Sequence, residues 1–292
     1  MSQLKIKRIL PVRFIRKMRG GSQCSLIEAS DGLQYVVKWK NNPQGSQIVL
    51  NEALGTLLYQ QVGLATPPCA AMEIADDFID ANRGMWFESR RDLIRPTAGL
   101  HFASLCLGTG TQTVYEVLPG SWFTRIQDRS SFLGALVADV WSEHVDSRQA
   151  LFLQDNGERF LSAVYIDHGH MFGGPDGAQV ARLRACFYLD MRIYSGLGLV
   201  DGIGYWTERI KGCGETIIAD AVSAVPEEWM STSVERIVDR LLINLPRLHD
   251  MLFPAIFRWI NHETQKPPQI HAYPSSQRGL IQIEPLRTSM FL

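Results

Sequence analysis

The sequence lacks a surplus of charge of either sign: 29 Lys and Arg stand against 30 Asp and Glu, a net −1. A dedicated nucleic-acid binder carries a basic excess, so direct contact with nucleic acid is not expected. Long apolar runs are missing too. None approaches the roughly 18–20 residues that cross a bilayer, so no membrane span is expected. Cysteine is scarce and odd in number, five in all, with no two in a C-x-x-C pair. That argues against a disulfide framework or a cysteine zinc site and fits a reducing cytoplasm. No internal repeat is visible. What the chain does have is apolar content, 46% of 292 residues, enough for one large domain or two ordinary ones.

The opening reads as strands. Residues 9–14 and 25–28 are short apolar or mixed runs flanking a basic stretch that ends in Gly20-Gly21-Ser22. Asp31-Gly32 is a two-residue hairpin turn, and residues 33–40 carry Tyr35, Val36, Val37 and Trp39, all strong strand formers. Together they predict a meander of three antiparallel strands with a glycine-rich loop. Leu50, Leu54, Leu57, Leu58 and Val62 then recur at helical spacing, with Gly63 where a C-terminal cap belongs. Residues 76–113 show no clean period. An apolar stripe over 125–144 predicts a helix, followed by a polar loop, a strand, the turn Asp155 to Glu158 and a second strand. A late helix is expected over 233–251, opened by the capping box Thr232-x-x-Glu235 and bent near Pro246. Residues 261–292 read as a peripheral tail.

Taken in order, the chemistry-bearing residues are a Gly-rich turn, a Lys in a strand, a Glu in the next helix, an Asp after a long helix and an Asp after the following hairpin. Phosphoryl transfer has that parts list. A triphosphate needs backbone N–H donors, which Gly20, Gly21 and Ser22 offer because no bulky side chain blocks close approach. It needs a fixed cation, Lys38, and that Lys needs a carboxylate to hold it, Glu52 on the helix face away from Leu50 and Leu57. The acceptor hydroxyl needs an orienting base, Asp146, and the magnesium ion needs a carboxylate, Asp167. Each residue alone has a plainer reading. Lys40 competes with Lys38 from the same strand face, Asp146 pairs with Arg148, and Asp167 caps a turn. Order and spacing decide between them: one hairpin returns Asp167 to the mouth that holds Asp146.

The segments YVVKWKNN with NEALGTLLYQQVGL, LHFASLCLG, WSEHVDSRQALF and YIDHGHMFGGP resemble the HipA-like kinases, atypical bacterial Ser/Thr kinases distantly similar to phosphoinositide kinases. The resemblance runs over residues 4–251 and is most specific in the last two segments. It implies an α+β, two-lobed protein-kinase-like fold: a small antiparallel-sheet lobe over 1–118, a mainly helical lobe over 119–260, and the tail. It implies ATP with magnesium and transfer to a protein hydroxyl. It puts Lys38 on the phosphates, Glu52 as its partner, Asp146 as catalytic carboxylate and Asp167 as metal ligand.

Two departures bear on activity. Five residues after the catalytic Asp, where a kinase loop carries a metal-binding Asn, this chain has Leu151. Gln149 is the nearest amide and the candidate replacement. The phosphate loop also lacks a full G-x-G-x-x-G. A nucleotide- or partner-binding module without turnover is therefore the alternative, and a small-molecule kinase, as among antibiotic phosphotransferases, the third reading. His144, His168 and His170 crowd the two aspartates without the spacing of H-E-x-x-H and read as loop-shaping residues. Cys24 reads as a small buried filler. The arm Lys5, Lys7, Arg8, Arg13, Arg16, Lys17 and Arg19 reads as the solvated face of the first strand, its field aimed at the nucleotide mouth.

Overall fold

A computed structural model describes residues 5–88, 92–108, 110–179, 186–231 and 233–264. The elements run β1 (Lys7–Ile9), β2 (Pro11–Lys17), β3 (Ser25–Ala29), β4 (Gln34–Lys38), α1 (Ile48–Gln61), β5 (Cys69–Ile74), α2 (Asp76–Ala81), β6 (Phe87–Glu88), β7 (Leu93–Ile94), β8 (Gly99–Leu105), β9 (Gln112–Tyr115), α3 (Ser131–Trp141), β10 (Gln149–Asp155), β11 (Ser162–Ile166), α4 (Leu199–Ala224) and α5 (Ser233–Thr264). This is the α+β arrangement expected, a curled sheet joined to a mainly helical part.

Six strands form the main sheet in the order β1-β5-β8-β4-β3-β2, antiparallel except where β1 lies parallel to β5. The expected meander is β2-β3-β4. Its Asp31-Gly32 turn closes with Gly32 at φ 79 and the Asp31 carboxylate accepting from Leu33 N–H at 3.2 Å. Strand alternation then assigns the faces. Tyr35, Val37 and Trp39 enter an outer core with Met72, Ile79 and Phe87, so Lys38 points the other way, toward α1.

On that inner face α1 is buried nearly all round, sandwiched between the sheet and α4. The face away from Leu50 and Leu57, where the sequence puts Glu52, is covered as well, and Glu52 is only 2% exposed. A helix with two covered faces carries its polar residues into the interior, where they need partners. Gly63, at φ 87, ends the helix as expected, with Leu64 N–H reaching back to the Tyr59 carbonyl at 2.9 Å.

The unassigned stretch 76–113 contains β8, the strand at the centre of the sheet. Its sequence GLHFASL is covered on both faces, so no alternation marks it. The helix expected over 125–144 is shorter, α3, preceded by a 3-10 turn at Gly120–Arg125. The hairpin around Asp155 to Glu158 is β10-β11, and β9 joins it as a third strand. Sequence reading assigned nothing to α4, whose Gly202, Gly204, Gly212 and Gly214 weaken helix propensity; the helix is kinked at Gly214, φ 61. α5 continues through Pro246 and Pro254 to Thr264, beyond the expected end at 251. Thr232 of the expected capping box and residues 265–292 of the expected tail lie outside the described residues. Among those described, no helix is long and apolar enough to cross a membrane.

Four of the seven basic residues of the arm are paired where they lie. Lys7 pairs with Asp31 at 3.4 Å, Arg13 with Glu28 at 2.6 Å, Lys17 with Glu88 at 3.1 Å and Arg8 with Glu228. Most of these side chains are exposed, so the pairs add little stability. They offset part of the positive field expected of the arm.

Candidate active site

Lys38 ends β4 on the inner face, and its ammonium is held by two carboxylates. One is Glu52 of α1; the other is Asp167, just past β11, whose Oδ1 lies 2.6 Å away. The Lys38 and Glu52 side chains are 12% and 3% exposed, while Asp167 keeps 28%. Burial works against the Lys38 cation, but the two carboxylates outweigh it and raise its pKa. Burial alone would raise the Asp167 carboxyl; the Lys38 ammonium beside it holds it well below the usual range. Glu52 differs: burial pushes its carboxyl up more than Lys38 pulls it down. The trio is one cation fixed by one deep and one accessible carboxylate. Lys40, the competing residue, lies past the strand end and is exposed, with its backbone N–H on His101 Nδ1 at 3.1 Å.

The segment after β11 is bolted to α1. Gly169 donates its N–H to Glu52 Oε1 at 2.7 Å, and Asn51 Nδ2 donates to the carbonyls of Gly169, Met171 and Gly174 at 3.0–3.1 Å. Close approach requires glycine at two places. A Cβ on Gly55 would sit 2.5 Å from both His168 Cβ and Met171 Sδ, and one on Gly169 would sit 2.9 Å from Glu52 Oε1. Asp167 itself is left-handed, φ 63, a strained conformation for a non-glycine residue and common at functional sites.

Gln149 opens β10, and its Nε2 donates to Asp167 Oδ2 at 2.6 Å. Turned over about its last torsion, the same amide presents an oxygen at that point. Leu151 sits in the strand opposite Val164 and has no oxygen to offer. Magnesium takes hard oxygen ligands, typically one or two carboxylates completed by substrate phosphates. Asp167 with Gln149 fits an ion that arrives with a triphosphate. A resident metal is a poorer fit, because among the described residues no three His, Cys, Asp or Glu side chains converge on one point.

Asp146 is exposed in the loop before β10, and its Oδ1 accepts from Ser147 N–H at 2.7 Å. Its loop meets the Asp167 segment through Val145 N–H on the His170 carbonyl at 3.0 Å. The suggested Asp146–Arg148 pair does not form; Arg148 turns inward to Asp139. Gly20, Gly21 and Ser22 lie in the turn between β2 and β3, where Gln23 N–H closes on the Gly20 carbonyl at 3.2 Å. Gly20 is at φ 120, and the N–H groups of all three are without partners among the described residues. The strand register that pairs Ser25 with Val37 sets Cys24 beside Lys38. Burial raises the Cys24 thiol, as for the inert filler expected.

Sequence reasoning missed Asn51 and Asp139. Their signal was weak: Asn51 stands beside Glu52 near the start of α1, and Asp139 is a single charge within apolar α3, at positions buried only because both helices are covered on every side. His144 and His168 are fully buried, and burial together with the Arg148 charge lowers both well below the ordinary histidine value. They are neutral packing groups at working pH.

No protein-family model matches the chain, and no curated protein matches its sequence. Solved structures do. The Golgi casein kinase is 11% identical with a TM-score of 0.48, over 87% of this chain and 74% of that one. The same kinase with Mn/ADP bound gives 11% and 0.45, over 86% and 74%. A Helicobacter pylori proinflammatory kinase, CtkA, gives 10% and 0.47, over 82% of this chain and 95% of that one. Likenesses of this size fix neither family nor activity.

Proposed function

We propose that this chain is a phosphotransferase of HipA-like type that takes the γ-phosphoryl group of ATP, with magnesium, and passes it to a Ser or Thr hydroxyl of a protein. The observation that carries the reading is the Lys38 ammonium fixed between Glu52 and Asp167, with Gln149 on the outer oxygen of Asp167. Lys38 binds the phosphates, and Glu52 keeps its ammonium extended when Asp167 is drawn to the metal. Magnesium would neutralise developing charge on the phosphate oxygens. Asp167 and Gln149 would hold it. Asp146, accessible and anchored by its own loop, orients the acceptor hydroxyl and receives its proton. The N–H groups of Gly20, Gly21 and Ser22 cradle the phosphates.

The test is ATP uptake by calorimetry with and without magnesium, followed by transfer of labelled γ-phosphate to the protein itself and to added proteins. Absence of uptake under both conditions would sink the reading. A module that binds nucleotide without turnover is the second reading. It is favoured by Leu151, whose side chain has no oxygen, where a kinase loop places the asparagine that holds a second metal ion. Uptake without transfer to any hydroxyl would decide for it.

A further inference from the structure

Among the described residues Arg148 is the largest charged side chain that is fully buried, at 1% exposure, and none of the roles above uses it. Each of its three nitrogens has a partner. Nε and Nη2 donate to the two oxygens of Asp139 at 2.8 and 2.6 Å, and Nη1 donates to the Ile166 carbonyl at 2.8 Å. Nη1 also lies 3.4 Å from His168 Nδ1. Ile166 and His168 are the residues on either side of Asp167. One guanidinium thus touches both neighbours of the residue that carries the metal-site carboxylate in a left-handed conformation.

Such a conformation costs about 1–3 kcal/mol and persists only where the surroundings over-determine it. The Ile166 carbonyl ends β11 beside the turn, and the fork supplies its donor from the interior. Asp139, 0% exposed in α3, fixes the fork, and Tyr59 of α1 donates to the same carboxylate at 2.7 Å. Arg148 also stands in the chain between Asp146 and Gln149. We propose that Arg148, locked by Asp139, is the positioning residue that sets the Asp167 turn and so the aim of its carboxylate. A lysine there would keep the charge but lose the planar fork that reaches both Asp139 and the strand end. Only the magnesium part of the proposal rests on the phosphotransferase reading.

Arg148→Lys is the test variant. Tyr59→Phe is the control, because it removes a bond to the same Asp139 carboxylate without touching the Asp167 turn. Both are compared with the unaltered full chain by magnesium titration of ATP uptake and by amide hydrogen exchange. In Arg148→Lys the half-saturating magnesium concentration is expected to rise about tenfold, the scale for loss of a group that orients a metal ligand. Metal-free ATP uptake stays unchanged, and amides of 167–171 exchange faster while those of α3 do not. Tyr59→Phe moves neither readout. Equal behaviour of the two variants, or unaltered exchange over 167–171 in Arg148→Lys, overturns the proposal. Should Arg148→Lys fail to fold, the double variant Asp139→Leu/Arg148→Met removes both buried charges together, a change that cores tolerate far better than losing one. The same shifts are expected of it. An unaltered chain that takes up no ATP at any magnesium concentration counts against the phosphotransferase reading alone, and the exchange comparison then decides the role of Arg148.

Discussion

Gly169 N–H and Lys38 Nζ donate to the same atom, Oε1 of Glu52. The carboxylate that fixes the cation therefore also fixes the start of the segment after Asp167. A methyl group at 169 would lie 2.9 Å from that oxygen and 3.0 Å from Ile48 Cδ1, the ends of two buried side chains, of which Glu52 is already tied to Lys38. Gly169→Ala is expected to cost about 1–3 kcal/mol, the usual range for overpacking, and to weaken ATP uptake. Urea unfolding with and without Mg·ATP measures both.

Lys38→Met removes the cation between two carboxylates that stay within the site. Beyond loss of nucleotide-dependent activity, it is expected to destabilise the fold by about 3–5 kcal/mol, as when one partner of a buried pair is deleted. Glu52→Gln in the same chain should recover part of that loss, since it removes one stranded charge. A double-mutant cycle in urea reads the coupling. Lys40→Met, at an exposed site, should stay within about 0.5 kcal/mol; a larger effect than that of Lys38→Met would refute the face assignment.

The two aspartates should separate by phenotype. Asp167→Asn is expected to weaken the magnesium dependence of ATP binding. Asp146→Asn should leave Mg·ATP binding nearly unchanged and lower turnover alone, because an acceptor-side group acts in the transition state. Binding titrations set beside transfer rates check this, and equal loss of ATP affinity in both variants would contradict the division.

Gln149→Ala should lower the transfer rate by about 10–100-fold, the scale for a supporting group at a metal site. Leu151→Asn is expected to lose stability and gain no rate, because residue 151 lies within a β-ladder opposite Val164. Transfer indifferent to Gln149→Ala would remove Gln149 from the site and leave Asp167 as the sole metal-holding side chain.

Stability should fall steeply below pH 6.5. Burial, with some help from Lys40, lowers His101 to about 3, and burial holds His144 and His168 well below their ordinary value too. The unfolded chain takes up these protons near pH 6.5 while the native chain refuses them. The stabilising difference is thus fully present above 6.5 and is lost as pH drops toward each native value. Each histidine contributes about 1.4 kcal/mol per pH unit across that window. Urea midpoints at pH 7, 6 and 5 should track the loss, and stability unchanged between pH 7 and 5 would show that these rings titrate normally.

How much was legible varied with how local the signal is. The β2-β3-β4 meander announced itself through an Asp-Gly turn and the strand formers Tyr35, Val36, Val37 and Trp39, and α1 through its leucines and Gly63. β8 and α4 did not. β8 is covered on both faces and shows no period, and α4 carries four glycines and a kink. The site followed the same rule. Lys38, Glu52 and Asp167 stand out because their order along the chain is itself a pattern, and Gln149 as the amide nearest the missing asparagine; the structure brings those four side chains together.

By itself the sequence determined which chemistry was on offer: two strand lysines, two aspartates a hairpin apart, an amide two residues before the place where an asparagine was expected, and a turn with the freedom to present N–H groups. Only the tertiary structure decided between equals. Lys38 and Lys40 have the same type and parity, and Lys38 is chosen because it is the one that still lies on the ladder when α1 crosses beneath it. Arg148 has two aspartates within reach along the chain, and the buried one wins. Asp139 sits where a carboxylate must find a cation or pay for desolvation, whereas exposed Asp146 has water. A residue's type and spacing state what it is able to do; burial, which no short stretch of sequence encodes, states which partner it must take.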